Sequence, residues 1–249
     1  MNILLSGASG AMGSEVIKEA EKQNLNIVAG FDRDTTDNGL FPIYDSTKDI
    51  KENIDVIVDF SVPVATMEML EFAKEKHIPI VIATTGLNEE ELKKIEDYSK
   101  ELPIFKSSNM SFDINLMIDI VTKVADALKS SDIEIIETHH NRKIDSPSGT
   151  AIMIADEINK VFEGKKTYTF DRMQKREKRS KDEIGFSSIR GGNIAGKHTV
   201  AFFGENETLE ITHTAYSRTV FAEGALKAAE FIIGKPNGLY DMKSLLKDI

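Results

Sequence analysis

Residues 134–151 read Glu-Ile-Ile-Glu-Thr-His-His-Asn-Arg-Lys-Ile-Asp-Ser-Pro-Ser-Gly-Thr-Ala. His139 and His140 titrate near neutrality and can exchange protons with a ligand. Arg142 and Lys143 add cationic charge. Ser148-Gly149-Thr150 opens a segment of helical periodicity, with Ser146 or Ser148 as its N-cap. A helix start presents free N–H groups, and with the hydroxyls of Ser148 and Thr150 these suit a carboxylate. An acid/base, a cation and an anion cradle in one loop point to a small carboxylated substrate. Two other readings of these residues stay open. One is a purely structural cap and turn. The other is a metal site of His139 and His140 with Asp145 or Glu137, although no His sits at i+4 on a helix and no Cys is present to help.

A second constellation lies at the start of the chain. Gly7-Ala8-Ser9-Gly10-Ala11-Met12-Gly13 follows the first apolar run and opens the first helical pattern. The first glycine allows a tight turn, the second brings backbone N–H groups close to a pyrophosphate, and the third lets helix and strand pack closely. The next apolar run ends in Asp32, where a carboxylate can hold the 2′-OH of an adenosine ribose. Arg33 follows and can pair with a 2′-phosphate. Together they predict use of both NADH and NADPH. Ala83, Thr84 and Thr85, and Ser107, Ser108, Asn109 and Met110, follow later apolar runs. Small polar residues beyond the carboxyl ends of strands can meet a ribose or a carboxamide, or simply cap the helices that follow.

The elements that must position these groups alternate. Apolar runs at 3–5, 27–31, 56–60, 80–83 and 104–105 suit strands buried on both faces. Helical patterns at 11–22, 65–76 and 89–101 lie between them. The alternation predicts an α/β fold with a Rossmann-type doubly wound parallel sheet. After Ser107 the pattern changes. A long amphipathic helix (Ile114 to Leu128), a strand (133–138), the polar block above and a second helix (151–162) are followed by a polar loop (164–183) and strands at 184–190, 198–203 and 207–214. This region reads as a second, α+β domain. Helical patterns return at 219–234 and 241–247.

With 249 residues, 41% hydrophobic and 29% charged, the chain is ample for one large domain or two small ones and is not disordered. Zero Cys excludes disulfides, Cys-based zinc sites, iron–sulfur clusters and thiol catalysis. No stretch approaches the roughly 20 apolar residues of a membrane helix, and the first residues lack the pattern of a secretory signal, so a cytoplasmic location without membrane partners is expected. A net charge of −10 argues against nucleic acid as partner. That average hides an imbalance. Residues 139–200 contain 13 Lys/Arg against 8 Asp/Glu and three of the five His, a local +5 inside an acidic protein. Arg172 to Lys181 alone reads as a solvated basic loop, but the wider window provides a positive field for a small anion.

Several of these motifs together resemble the dihydrodipicolinate reductase (4-hydroxy-tetrahydrodipicolinate reductase) family of bacterial lysine biosynthesis. They are GASGAMG, VDFSVP (58–63), ATTG (83–86), SSNMS (107–111), IGFSSIRGGNIAGKHTVAF (184–202), LEITHTAYSRTVFAEGALKAA (209–229) and, most specifically, EIIETHHNRKIDSPSGTA (134–151). The resemblance implies His139 as catalytic acid/base, Lys143 as proton-donating lysine, His140 as substrate-binding, and Gly149 and Thr150 as holders of a substrate carboxylate. It also implies a cofactor site lined by Gly7, Ala8, Ser9, Gly10, Ala11, Met12, Asp32, Ala83 to Thr85 and Ser107 to Met110. The implied organisation is a dinucleotide-binding domain (1–111 and 218–249) interrupted by a substrate-binding and oligomerisation domain (112–217), assembled as a homotetramer. The implied reaction reduces a cyclic conjugated imine dicarboxylate. Two departures concern the cofactor. Ser14 stands where many relatives carry Arg, and Val62 where many carry Arg or Lys before the Pro, which tilts the expectation toward NADH. Rival readings are another two-domain NAD(P)-dependent dehydrogenase and a non-catalytic NAD(H) sensor. The second gives no reason for the His-Lys-Ser-Gly-Thr block.

Overall fold

A computed structural model describes residues 1–173 and 176–248. The chain begins β1 (Asn2–Ser6), α1 (Ala11–Lys22), β2 (Asn26–Phe31), β3 (Ile43–Tyr44), β4 (Val56–Asp59), α2 (Pro63–Lys76), β5 (Ile80–Ile82), α3 (Glu89–Tyr98), β6 (Pro103–Lys106). It continues α4 (Phe112–Ala127), β7 (Asp132–His139), α5 (Gly149–Val161), β8 (Thr167–Thr169), β9 (Glu183–Arg190), β10 (Gly196–Phe203), β11 (Thr208–Ala215). It ends α6 (Thr219–Ile232), β12 (Gly238–Tyr240), α7 (Met242–Lys247). Two units result, one comprising Met1–Phe112 together with the chain from Arg218 onward, the other Asp113–Ser217.

In the first unit, seven parallel strands lie in the order β12-β6-β5-β4-β1-β2-β3. Ile3, Leu4, Leu5, Val56, Ile57 and Val58 are wholly buried, because both faces are covered by helices. Ile3, Leu5, Val56 and Val58 pack with Val16 and Ala20 of α1 and Ala225 and Leu226 of α6. Leu4 and Ile57 pack instead with Met69, Leu70 and Ala73 of α2 and Ile95 of α3. The order reverses at β1, which lies between β2 and β4, and a crevice opens at such a switch point beyond the strands' carboxyl ends.

In the second unit, a mixed five-stranded sheet runs β11-β10-β7-β9-β8, with β7, β9 and β8 mutually parallel and β10 antiparallel to both β7 and β11. Buried and less buried residues alternate strictly along β7. Ile133 and Ile135 pack on Ile114, Met117 and Val121 of α4 and on Ile154, Ala155 and Ile158 of α5. The same alternation puts Glu137 and His139 on that helix-covered face. Register sets their neighbours. Glu137 lies opposite His198 of β10 and beside Ser188 of β9, and His139 lies beside Arg190 of β9.

Three short strands depart from the sequence reading. Residues 164–183 are not one loop, since Thr167–Thr169 forms edge strand β8 on β9. β3 and β12 likewise have no counterpart in the sequence pattern. Two or three residues are too few for alternation to register, and such strands exist because a partner edge stands ready. From Arg172 to Lys181 the described residues are exposed except for the partly buried Arg179, as expected of a solvated basic segment. Arg179 donates to Asp132, Glu134 and the carbonyls of Ile133 and Glu183, and Arg172 pairs with Glu183. Residues 174 and 175 of that segment lie outside the described residues.

Candidate active site

Glu137 is completely buried, and a buried carboxylate must be paired. Arg190 donates from Nη1 to Oε2 (2.8 Å) and from Nη2 to Oε1 (2.7 Å). The Ser148 N–H donates to Oε1 at 3.3 Å. His139 Nδ1 lies 2.5 Å from Oε2. Burial by itself would raise this carboxyl, but the hydrogen bonds from Arg190, Ser188 and His139 outweigh it and hold the group at about 2. On the other side of the His139 ring stands Gly196, where a Cβ would come within 3.1 Å of Nε2. Glycine there keeps room at that nitrogen.

Ser148 is the N-cap of α5, its hydroxyl accepting from the Ala151 N–H at 3.1 Å. The same hydroxyl pairs with His198 Nε2 at 3.0 Å and is 2% exposed, so its bonding capacity lies largely within the protein. Gly149 is more open, since an added Cβ would meet nothing within 4 Å. Lys143 Nζ pairs with Asp145 Oδ1 at 2.7 Å. That bond, helped by the Gly149 N–H, holds the Asp145 carboxyl below the usual range. Lys143 and the start of α5 thus already converge on one carboxylate. The His140 N–H donates to the Ile194 carbonyl (2.8 Å), and the His140 carbonyl accepts from the Lys143 N–H (3.1 Å). These bonds clamp the loop that carries both side chains. As for the metal reading, among the described residues no three His, Asp or Glu side chains are grouped to hold an ion.

His198 packs edge-on against His139, ring centroids 5.1 Å apart. Burial, then repulsion from His139, pushes it down to about 3, well under its ordinary 6.5. The folded protein therefore keeps this ring neutral where the unfolded chain protonates it. Its contribution to stability is intact above pH 6.5 and is lost as pH falls toward 3, by about 3 kcal/mol at pH 4. Glu137, with its lowered value, acts in the same direction below its ordinary 4.5. Denaturant unfolding of wild type and His198→Gln between pH 7.5 and pH 4 checks this. The variant should show a clearly shallower loss, and parallel curves would refute the prediction.

In the other unit, the glycine turn is sterically dictated. Gly7 has φ +80°, and a Cβ on it would fall 2.5 Å from the Phe60 carbonyl oxygen; one on Gly13 would fall 2.3 Å from that of Gly7. No side chain caps the start of α1, which leaves its first N–H groups for an anion. Beside the turn is a cavity of about 410 Å³, lined by Gly7, Gly10, Phe31, Asp32, Arg33, Asp45, Phe60, Ser61, Val62, Val64, Ala65 and Glu68. Asp32 accepts from the Ser9 N–H at 3.0 Å, and Ser9 Oγ donates to the Asp34 carbonyl at 2.7 Å. Turn and second strand are thereby tied together. A nicotinamide dinucleotide fits this set: an uncapped helix start and close-approach glycines for the pyrophosphate, and a carboxylate for the ribose.

Of the residues expected around the cofactor, Gly7, Gly10, Asp32 and Arg33 line this cavity, while Ala8 is packed in the core beneath it. Ala83 to Thr85 and Ser107 to Met110 do not line it. They follow β5 and β6, and Ser107 Oγ donates to the Asn109 carbonyl at 2.7 Å. Met110 is buried in the core, and its carbonyl packs against Gly224 of α6, so this position does not present its side chain to a ligand. The Thr84 hydroxyl donates to Asp59 at 2.9 Å. Asp59, fully buried, also accepts from the hydroxyls of Ser61 and Thr66 and so joins two crevice turns. Residue reading singled out none of Asp45, Asp59, Glu68, Arg190 or His198 as a site residue. The quoted motifs contained Asp59, Arg190 and His198, but only burial and pairing give them meaning.

Comparison with known proteins places the chain in a family. The family model "Dihydrodipicolinate reductase, N-terminus" matches residues 1–110, and "Dihydrodipicolinate reductase, C-terminus" matches 113–246. A 4-hydroxy-tetrahydrodipicolinate reductase of Caldanaerobacter subterraneus subsp. tengcongensis is 49% identical over 99% of this chain and 98% of its own. One from Clostridium tetani is 45% identical over 99% and 97%. Among solved structures, a dipicolinate-bound dihydrodipicolinate reductase from Paenisporosarcina sp. TG-14 superposes with a TM-score of 0.82 over 97% of both chains. At 23% identity, that likeness speaks for the fold. Since two adjoining family models and relatives of near-equal length all cover it almost end to end, the chain belongs to the dihydrodipicolinate reductase family.

Proposed function

We propose that the protein is an NAD(P)H-dependent reductase that converts 4-hydroxy-tetrahydrodipicolinate, by way of dihydrodipicolinate, to tetrahydrodipicolinate in diaminopimelate and lysine biosynthesis. The observation that carries this reading is the convergence of Lys143 and the start of α5 on one carboxylate, in the loop that follows His139. The substrate has two carboxylates. One is held by Lys143, the Gly149 and Thr150 N–H groups and the Thr150 hydroxyl, in the place that Asp145 takes without substrate. His140 and Ser148 complete the wall around it. When bound, the nicotinamide supplies hydride. The conjugated C=C–C=N system then needs one proton for balance, and His139, assisted by Lys143, provides it from Nε2.

Residues 1–111 and 218–249 form the dinucleotide-binding domain in this reading, with Gly7 to Met12 on the pyrophosphate, Asp32 and Arg33 at the adenosine ribose, and Ala83 to Thr85 and Ser107 to Met110 along the crevice. Both cofactors are used, with NADH favoured. Asp32, Asp45 and Glu68 outnumber Arg33 in the cavity, and like charges repel a 2′-phosphate. Residues 112–217 bind substrate and assemble a homotetramer. The sheet face turned away from α4 and α5, where Ile189 and Phe203 are exposed, is available for that contact. Among the described residues no helix is long and apolar enough to cross a membrane, and we place the enzyme with the cytoplasmic NAD(P)H pool.

The test is oxidation of NADH and NADPH by the purified protein with freshly prepared 4-hydroxy-tetrahydrodipicolinate. Turnover is expected with both, and none with either would sink the proposal. In the same assay Asp32→Ala should weaken NADH about tenfold and NADPH less, as loss of one charge-assisted hydrogen bond predicts. Equal losses would show that Asp32 only secures the turn through Ser9.

A further inference from the structure

We infer that Glu137, backed by Arg190, is a positioning residue that fixes the His139 ring with its proton on Nδ1 and so makes Nε2 the atom that exchanges a proton with substrate. The inference rests on the reading of His139 as the acid. Its physical basis is separate and lies in the pairing of a fully buried carboxylate.

Both oxygens of Glu137 are occupied. Oε1 accepts from Arg190 Nη2 and the Ser148 N–H, and Oε2 accepts from Arg190 Nη1 and faces His139 Nδ1 at 2.5 Å. Arg190 is anchored in turn, donating to the carbonyls of Ile189 (2.8 Å) and Asp145 (2.6 Å). A buried glutamate left alone with a histidine would be driven by desolvation to take the ring's proton. The bidentate guanidinium removes that tendency, so the carboxylate remains an acceptor and the Nδ1 proton remains on the ring. Nε2 then points to the side where Gly196 lacks a Cβ.

Each element packed around the ring contributes a group to this balance. Glu137 comes from β7 itself and Arg190 from β9. His198, neutral, comes from β10, with His213 of β11 opposite it in register. Lys143 comes from the loop after β7, and Ser148 from the start of α5. Arg190 and Lys143 bring positive charge to the surroundings of the ring, and among the described residues Glu137 is the carboxylate at hydrogen-bond distance from it. A neutral amide at 137 should therefore make His139 a weaker base, and the rate should fall away at lower pH than in wild type.

The experiment combines ¹⁵N NMR of histidine-labelled wild type with steady-state kinetics of Glu137→Gln. Above the alkaline limb of the rate, where the ring is neutral, the wild-type protein should show His139 as the Nδ1–H tautomer; an Nε2–H tautomer there overturns the inference and needs no variant that must fold. Glu137→Gln should lower kcat about 10–100-fold with KM within about 3-fold, in the range seen for partners that orient a functional histidine. It should also move the alkaline limb of log kcat down by about one pH unit, and Glu137→Asp should recover part of both losses. A folded Glu137→Gln protein with unchanged limb and tautomer would reduce Glu137 to a structural ion pair and overturn the inference. If instead His139→Gln itself leaves kcat intact, the reading of His139 as the acid fails, and this is seen separately.

Discussion

His139→Gln is expected to lower kcat by about 10²–10⁴-fold, the usual range for removal of a general acid, while the dissociation constant for NADH stays within about 2-fold. Glutamine keeps a polar group toward Glu137, so the pairing of the buried carboxylate survives, yet it has no proton to give near neutral pH. The cofactor constant should hold because the glycine turn and its cavity belong to the other unit and include no residue of β7. Steady-state turnover with each cofactor, together with NADH binding followed by fluorescence, measures both quantities. A kcat within a few-fold of wild type would remove His139 from the chemistry, whatever its conformational role.

Lys143→Met should lower kcat/KM by about 10²–10³-fold, divided between a raised KM and a reduced kcat. In the ligand-free protein Lys143 neutralises Asp145 at 2.7 Å. In the proposed reading, substrate replaces that partner with its own carboxylate. Methionine leaves the packing of the stem but no charge. The site then loses an attractive contact, and Asp145 remains there as an uncompensated anion facing an incoming one. Truncating one member of such a pair costs about 2–5 kcal/mol. The inhibition constant of pyridine-2,6-dicarboxylate, a flat dicarboxylate that cannot be reduced here, should rise in parallel. A change below about 5-fold in both constants would assign the anion cradle to the start of α5 alone.

Much of the fold was legible in local pattern. β1, β4 and β5 are continuous apolar runs because helices cover both their faces, and α1 was bounded at Ala11–Lys22 by its glycine turn and amphipathic spacing. The helix at Gly149 announced itself through Ser148, which does cap it. β3, β8 and β12 were not legible, since each is a strand only because an edge of β2, β9 or β6 accepts it. The proposed anion site divides in the same way. Lys143 and the helix start at Gly149 and Thr150 lie within eight residues of chain and could be read together. That Ser148 would turn its hydroxyl toward His198, 50 residues away, could not.

By itself the sequence determined the chemistry available and the local backbone that presents it. Glycines stand where a Cβ would strike a carbonyl, a serine stands where a helix needs a cap, and the two histidines, Lys143 and the helix start share one turn. These are requirements within a few residues, and the chain must carry them wherever it folds. Only the tertiary structure decided how the buried charges are balanced. Arg190 lies 53 residues from Glu137, and nothing in either segment declares the other. The bond exists because β7 and β9 pair in one register, and because a carboxylate cut off from water is stable only against a cation brought to it across the sheet.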